Sequence, residues 1–259
     1  MIGVETVLVA FAMFSAIPLP QPKWNRRNMR YALCAFPLVG AVCGGLWWAW
    51  ARVCAFFAAP ELLRGAGLCL IPVLVTGGIH LDGYADTCDA LASCASPEEK
   101  REILKDPRCG AFAVIRLCAY FTAYLALCTA LRPEDRVLWS MGLAFVLERG
   151  LSGLAIARFP LAKDTGLAHT FAVSADRIAA GRILMAVCAL AGAGMIALSG
   201  VSGGTMVLTS LLVFWHYRTV ADRQFGGVSG DLAGWFLQRA ELWMLGVLTA
   251  WQLIGGRGL

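Results

Sequence analysis

Three aspartates, Asp82, Asp86 and Asp89, arrive within eight residues of a stretch that reads GGIHLDGYADTCDALASC from Gly77 to Cys94. On an α-helix the spacing i, i+4, i+7 places side chains within about 60° of one another, so the three carboxylates share a face. Like charges that close disfavour joint ionisation, and a proton or a divalent cation relieves the conflict. Ligands that are all carboxylate oxygen suit a hard ion, Mg2+, Mn2+ or Ca2+, whereas zinc prefers His and Cys. Mg2+ usually takes one or two carboxylates together with substrate phosphates. The spacing therefore points to phosphate chemistry. His80 precedes the trio, but on an ideal helix it points about 160° away from Asp82. Singly, Asp82 reads equally well as an N-cap and Asp86 as a first-turn residue favoured by the helix dipole. Three on one face beside an apolar run are harder to explain that way.

Other segments carry groups of the same kind. KDPRCG sets Lys105, Asp106 and Arg108 around Pro107. Asp-Pro favours a turn, which could aim the planar fork of Arg108 at a phosphate. GGVSGD, Gly226 to Asp231, holds three glycines and an aspartate. Gly227 and Gly230 would let backbone N–H groups approach an anion, and Asp231 is either a further metal ligand or a helix N-cap. No Walker spacing is present, so this is not a P-loop. Glu148 and Arg149 lie inside an apolar stretch. Adjacent helical residues do not face one another, so Arg149 is expected to turn into the bundle, toward the aspartates or a bound anion. Glu241 is placed similarly. His169 and His216 are expected at the interface rather than in the chemistry.

The elements that position these groups follow from composition. Of 259 residues 59% are hydrophobic and only 15% charged, where soluble domains carry about 25% charged residues. Mean hydropathy is +0.67. The apolar residues come in blocks near the roughly 20 needed to cross a bilayer as a helix. A closed barrel would show short alternating strands instead. The fold class is thus all-α: one polytopic integral membrane helical bundle over residues 1–259. Eight helical stretches are predicted, at 3–18, 32–51, 65–80, 110–130, 137–157, 182–200, 205–217 and 232–254, and the first and seventh are the weakest. Losing one would leave seven. Gly77 and Gly78 should break the third, with a new helix starting near Ile79.

Fourteen Lys and Arg fall in connections on one side and five, Arg257 among them, on the other. The richer side is expected in the cytoplasm, and every motif above lies on it. A transporter would be expected to place its polar groups near the midplane instead. The net charge of +5 then reflects topology, not nucleic-acid binding. The N-terminus lacks a basic region, so no cleaved signal peptide is expected. Ten cysteines without a C-x-x-C pair read as packing thiols, not a disulfide framework or a zinc site. The sequence is silent on self-association and leaves a homo-oligomer open.

GGIHLDGYADTCDAL resembles the G-G-x-H-x-D-G-x-x-D-x-x-D-A-L stretch of the cobalamin synthases, the adenosylcobinamide-GDP ribazoletransferases. AFPLVGAVCG, LKDPRCGAFAV and FGGVSGDLAG are similar to further elements of that family, in the same order. The resemblance implies an enzyme of the cytoplasmic (inner) membrane that joins GDP-cobinamide to α-ribazole or its 5′-phosphate and releases GMP. It implies magnesium as cofactor, with Asp82, Asp86 and Asp89 at the metal and the activated phosphate. Asp106 and Asp231 would be further acidic contributors, with Asp89 or Asp106 taking the hydroxyl proton. Lys105 and Arg108 would hold phosphate charge, and His80 matches the motif with its role open. Ala16, Pro107, Ala111 and Trp235 depart from the family pattern, and none touches the aspartates. A CDP-alcohol phosphatidyltransferase is a rival, but Asp82-Gly83 is followed by Tyr84-Ala85-Asp86, without that family's Ala-Arg pair. A transporter is the other.

Overall fold

The computed structural model describes residues 3–163 and 165–255. Arg257, counted above on the less basic side, lies outside the described residues. The elements are α1 (Val4–Phe14), α2 (Arg26–Met29), α3 (Ala32–Phe56), α4 (Glu61–Thr76), α5 (Ile79–Ala92), α6 (Pro97–Ile103), α7 (Ala111–Ala130), α8 (Asp135–Arg158), α9 (Leu167–Ser174), α10 (Arg177–Val220) and α11 (Gly230–Gly255). Among the described residues there is no strand, only an isolated bridge between Leu161 and Val228.

The chain is an all-α membrane protein, and each of the eight predicted stretches contains helix, though the first ends at Phe14 and the third is broken at Gly77 and Gly78. By length and apolarity four helices qualify as spans: α3, α7, α8 and α10 with the turn after it. A fifth is added if α4 and α5 count as one bent span. α1, at 11 residues, is too short to cross about 30 Å of hydrocarbon at 1.5 Å per residue. α10 is two helices. At Gly200 the backbone turns to φ 55°, ψ −123°, a conformation open to glycine. The arms 177–199 and 201–220 then run back along each other. A side chain at Gly203 would collide with the backbone of Met195, and one at Gly192 would touch Val207.

α8 is the central helix, with most of its length buried, while α7 and α10 turn most of theirs outward. In lipid, helices associate through close packing of small residues rather than by hiding apolar surface from water. The sequence supplies this at Gly40-x-x-x-Gly44 of α3. A Cβ at Gly40 would meet the Phe145 carbonyl, and one at Gly44 would meet Gly142 of α8. The ten cysteines are all free thiols.

Candidate active site

α4 ends at Thr76, and Gly77 and Gly78 follow at φ 65° and 81°, left-handed values that favour glycine. The result is a 93° bend between α4 and α5, as the two glycines predict. α5 thereby leaves the line of α4 and crosses the N-terminal end of α11. The crossing has no side chains at its centre. A Cβ on Gly83 would lie 2.7 Å from the Asp231 carbonyl oxygen, and one on Gly234 would lie 2.6 Å from that of His80. This seam brings the Asp231 backbone against the helix that bears Asp82 and Asp86.

The start of α11 is fixed from a second direction. Val228 donates its N–H to the Pro160 carbonyl at 2.8 Å, and Ala162 donates to Val228 at 2.9 Å. Lys163 consequently stands beside α11, its Nζ 3.8 Å from Asp231 Oδ2. Ser229 is the capping residue: Leu232 donates its N–H to Ser229 Oγ at 3.2 Å. Asp231 is thus not the cap, and its carboxylate faces Lys163. Arg101 donates to the Phe225 carbonyl at 3.0 Å, which ties α6 to the turn before α11.

Among the described residues the side chains of Asp82 and Asp86 take part in no hydrogen bond or ion pair, whereas that of Asp89 does. Its two oxygens accept the N–H groups of Gly110 at 2.6 Å and Ala113 at 2.9 Å, at the start of α7. A side chain at Gly110 would overlap this carboxylate. Burial pushes the Asp86 carboxyl up to about 6, and the charges of Asp82, Asp231 and Asp89 push the same way, against Lys163. The open carboxylates are therefore Asp82 and Asp86; Asp231, beside them, is shared with Lys163 and Ser229, and Asp89 is set aside as a helix cap.

No three His, Cys, Asp or Glu side chains among the described residues converge closely enough to cage a metal ion. The donor set is nonetheless oxygen-only and open on one side. It fits a hard ion that completes its shell with phosphate oxygens and water, and it does not fit zinc. Two clefts meet at this helix. One, of about 430 Å³, is lined by His80, Asp82, Lys163, His169, Gly230 and Asp231 together with apolar residues. The other, of about 490 Å³, is lined by Gly77, Gly78, Asp82, Asp86, Pro107 and Leu117 among others. Asp82 lies on the wall common to both.

A family model described as cobalamin-5-phosphate synthase matches residues 6–249. The chain belongs to the cobalamin-5-phosphate synthase family. It is 40% identical to an adenosylcobinamide-GDP ribazoletransferase of Lachnoclostridium phytofermentans over 92% of this chain and 90% of the relative. A protein of the same name from Pseudomonas fluorescens is 34% identical over 90% of this chain and 94% of the relative. One from Halalkalibacterium halodurans is 31% identical over 95% of each. No solved structure matches the chain.

In this member of the cobalamin-5-phosphate synthase family several predicted site residues occupy other positions. Arg149 does not reach the aspartates. It is buried, and its Nη1 donates to Glu148 Oε1 at 2.7 Å and to the Phe145 carbonyl at 3.1 Å. The expectation that neighbours on a helix cannot pair fails because the long arginine arm bends back along its own helix. Arg108 and Asp106 engage one another, with Arg108 Nη2 2.7 Å from Asp106 Oδ2. Hydrogen bonds from Arg108 hold the Asp106 carboxyl down at about 2. Lys105 pairs with Glu102 at 2.6 Å. Gly227 spends its N–H on the Ala221 carbonyl at 3.0 Å. A side chain there would strike the 160–162 segment, so its job is close packing and not anion contact. Gly230 stays at the cleft, at the open N-terminus of α11.

Lys163 is the residue that sequence reasoning passed over. It appears there only as one of the loop cations. The signal was its place in ARFPLAKDTGLAHTF on the same side as the aspartates, but only the pairing with 226–228 shows that the loop folds onto α11. His169, expected at the interface, also lines the cleft.

Proposed function

We propose that this protein is a magnesium-dependent transferase of cobalamin assembly, joining GDP-activated adenosylcobinamide to α-ribazole or α-ribazole 5′-phosphate. A ribose hydroxyl oxygen of the acceptor bonds to the phosphorus attached to cobinamide. The bond from that phosphorus to the GMP oxygen breaks, the hydroxyl proton is released, and GMP leaves. The observation that carries the reading is the placement of Asp82 and Asp86, free of protein partners, where two clefts meet. A two-substrate phosphoryl transfer depends chiefly on positioning and charge neutralisation.

Asp82, Asp86 and Asp231 are the residues that would hold Mg2+, or Mn2+ in its place. The ion would supply charge neutralisation at the phosphate oxygens. Lys163 and the N–H groups at Gly230 would orient those oxygens from the α11 side. Asp106, salt-linked to Arg108, is too weak a base to take the hydroxyl proton near neutral pH. The excess of basic residues on the aspartate side supports a site facing the cytoplasm from the inner membrane. The lipid bilayer and the two small-molecule substrates are the partners this reading requires.

Purified protein in lipid, given GDP-cobinamide and α-ribazole, should release GMP with Mg2+ and not with chelator. Asp82→Asn, Asp86→Asn and Asp231→Asn should each abolish release while inserting normally. Release of CMP from CDP-diacylglycerol, with no GMP from GDP-cobinamide, would replace this reading with the phosphatidyltransferase one.

A further inference from the structure

The cavity between α5, α9 and α11 has two unlike walls. One is ionic, formed by Asp82, Asp231, Lys163 and the start of α11. The other is aromatic. The ring of Phe14 lies 4.3 Å from that of Phe36 and 5.4 Å from that of Phe171, centroid to centroid. Leu33 and Leu237 extend this wall. Besides Asp82, Asp231 and Lys163, the hydrogen-bonding side chains that line the cavity are His80, Ser152, Thr165, His169 and Ser229, and His80 stands against the aromatic wall. His80 is 6% exposed, its ring is 5.6 Å from Phe36, and its Nε2 has no partner.

We propose that this cavity is the acceptor site. It takes a nucleoside whose base is an apolar fused ring with one free ring nitrogen, the benzimidazole of α-ribazole, and His80 reads that nitrogen. The proposal rests on the transferase reading and adds which of the two nucleosides goes where. Both substrates carry a fused-ring base, and the bases differ in what they need from a buried wall. Guanine presents O6 and N7 acceptors and N1–H and N2–H donors. Packed against the rings of Phe14, Phe36 and Phe171, guanine would turn these groups to a wall that offers His80 beside Phe36 as a partner, and each one left unpaired disfavours burial. A dimethylbenzimidazole presents one lone pair and two methyl groups, and aromatic rings and aliphatic side chains suit it. A neutral imidazole carrying its hydrogen on Nε2 donates to that lone pair.

The cavity's volume of about 430 Å³ is room for a nucleoside; the second cleft is of similar volume, about 490 Å³, so the aromatic wall and not size sorts the substrates. The cobinamide donor is left to approach across α5, from the cleft that holds Asp86 and Leu117. The acceptor ribose then lies toward Asp82, on the wall the two clefts share.

GMP release in lipid nanodiscs, with donor and acceptor varied independently, tests the assignment. In His80→Phe and Phe171→Leu the KM for α-ribazole should rise at least tenfold. The KM for GDP-cobinamide should stay within twofold, and His80→Gln should recover most of the loss. A rise confined to the donor KM, or shared equally by both, overturns the proposal. Equilibrium binding to the unaltered protein decides the matter if the variants do not fold. Labelled α-ribazole should bind saturably and resist displacement by excess GMP. Displacement by GMP, or turnover without measurable α-ribazole binding, overturns the assignment. If no GMP is released at all the transferase reading fails, while the binding result still says what the cavity takes.

Discussion

Replacing Gly83 with alanine perturbs the seam between α5 and α11 without touching a charge. The new Cβ would sit 2.7 Å from the Asp231 carbonyl oxygen and 2.8 Å from its Cα. Comfortable contact needs about 3.5 Å, so the two helices must part by most of an ångström. The obstacle is backbone, which cannot swing aside as a side chain can. Overpacking of this kind costs about 1–3 kcal/mol, but alanine also returns up to about 1 kcal/mol of helix propensity over glycine. Net stability should therefore fall by about 3 kcal/mol at most, and the protein should still fold. Activity should suffer more. A displacement near 1 Å at a phosphoryl-transfer centre costs on the order of 10²-fold in rate, and here it separates Asp231 from Asp82 and Asp86. GMP release by Gly83→Ala, compared with its thermal unfolding in detergent, measures both quantities. Wild-type turnover in a folded Gly83→Ala protein would refute the claim that α5 and α11 must touch for the carboxylates to work together.

Asp89→Ala should cost about 1–2 kcal/mol of stability through loss of the α7 cap, with Asp89→Asn milder. Residual GMP release by Asp89→Asn above that of Asp82→Asn would separate capping from metal contact. Asp86, pushed up to about 6, favours its neutral form when folded. Without metal, stability should therefore decline as pH rises from near 4 to near 6. Added Mg2+ should raise the unfolding temperature more about one unit above pH 6 than one unit below, as a thermal scan at the two pH values will show. Arg149→Met should destabilise by about 3–5 kcal/mol, since it leaves Glu148 buried without its cation. Chemical denaturation in micelles reads this loss.

What the sequence revealed and withheld divides along physical lines. Apolar blocks and the Gly77-Gly78 pair are local signals, and the helices and the bend follow them. The i, i+4, i+7 spacing correctly put three aspartates on α5, but a face of α5 spans more than one neighbour. Asp89, nearest its C-terminal end, meets the N–H groups of α7, and nothing in the local spacing distinguishes that use from metal binding. Lys163 and Asp231 were unreadable as a pair because their meeting depends on Val228 bonding to Pro160 and Ala162, a contact between distant segments. Arg149 misled for the opposite reason: a rule about helix faces ignores how far a guanidinium can bend. Gly200 closes the predicted 182–200 stretch, and only its backbone angles show that the chain reverses there.

The glycine seam also bears on biogenesis. Asp82 and Asp231 lie far apart in the sequence, the first on α5 and the second on α11. During synthesis the first helices enter the bilayer carrying carboxylates that have no counterpart. Only after α10 has been made does α11 arrive, and its first turn must slide against α5 with no side chain to guide the fit. A nascent chain stopped before that helix would be an inserted protein with half a reaction centre, so premature termination yields inert molecules rather than partly active ones.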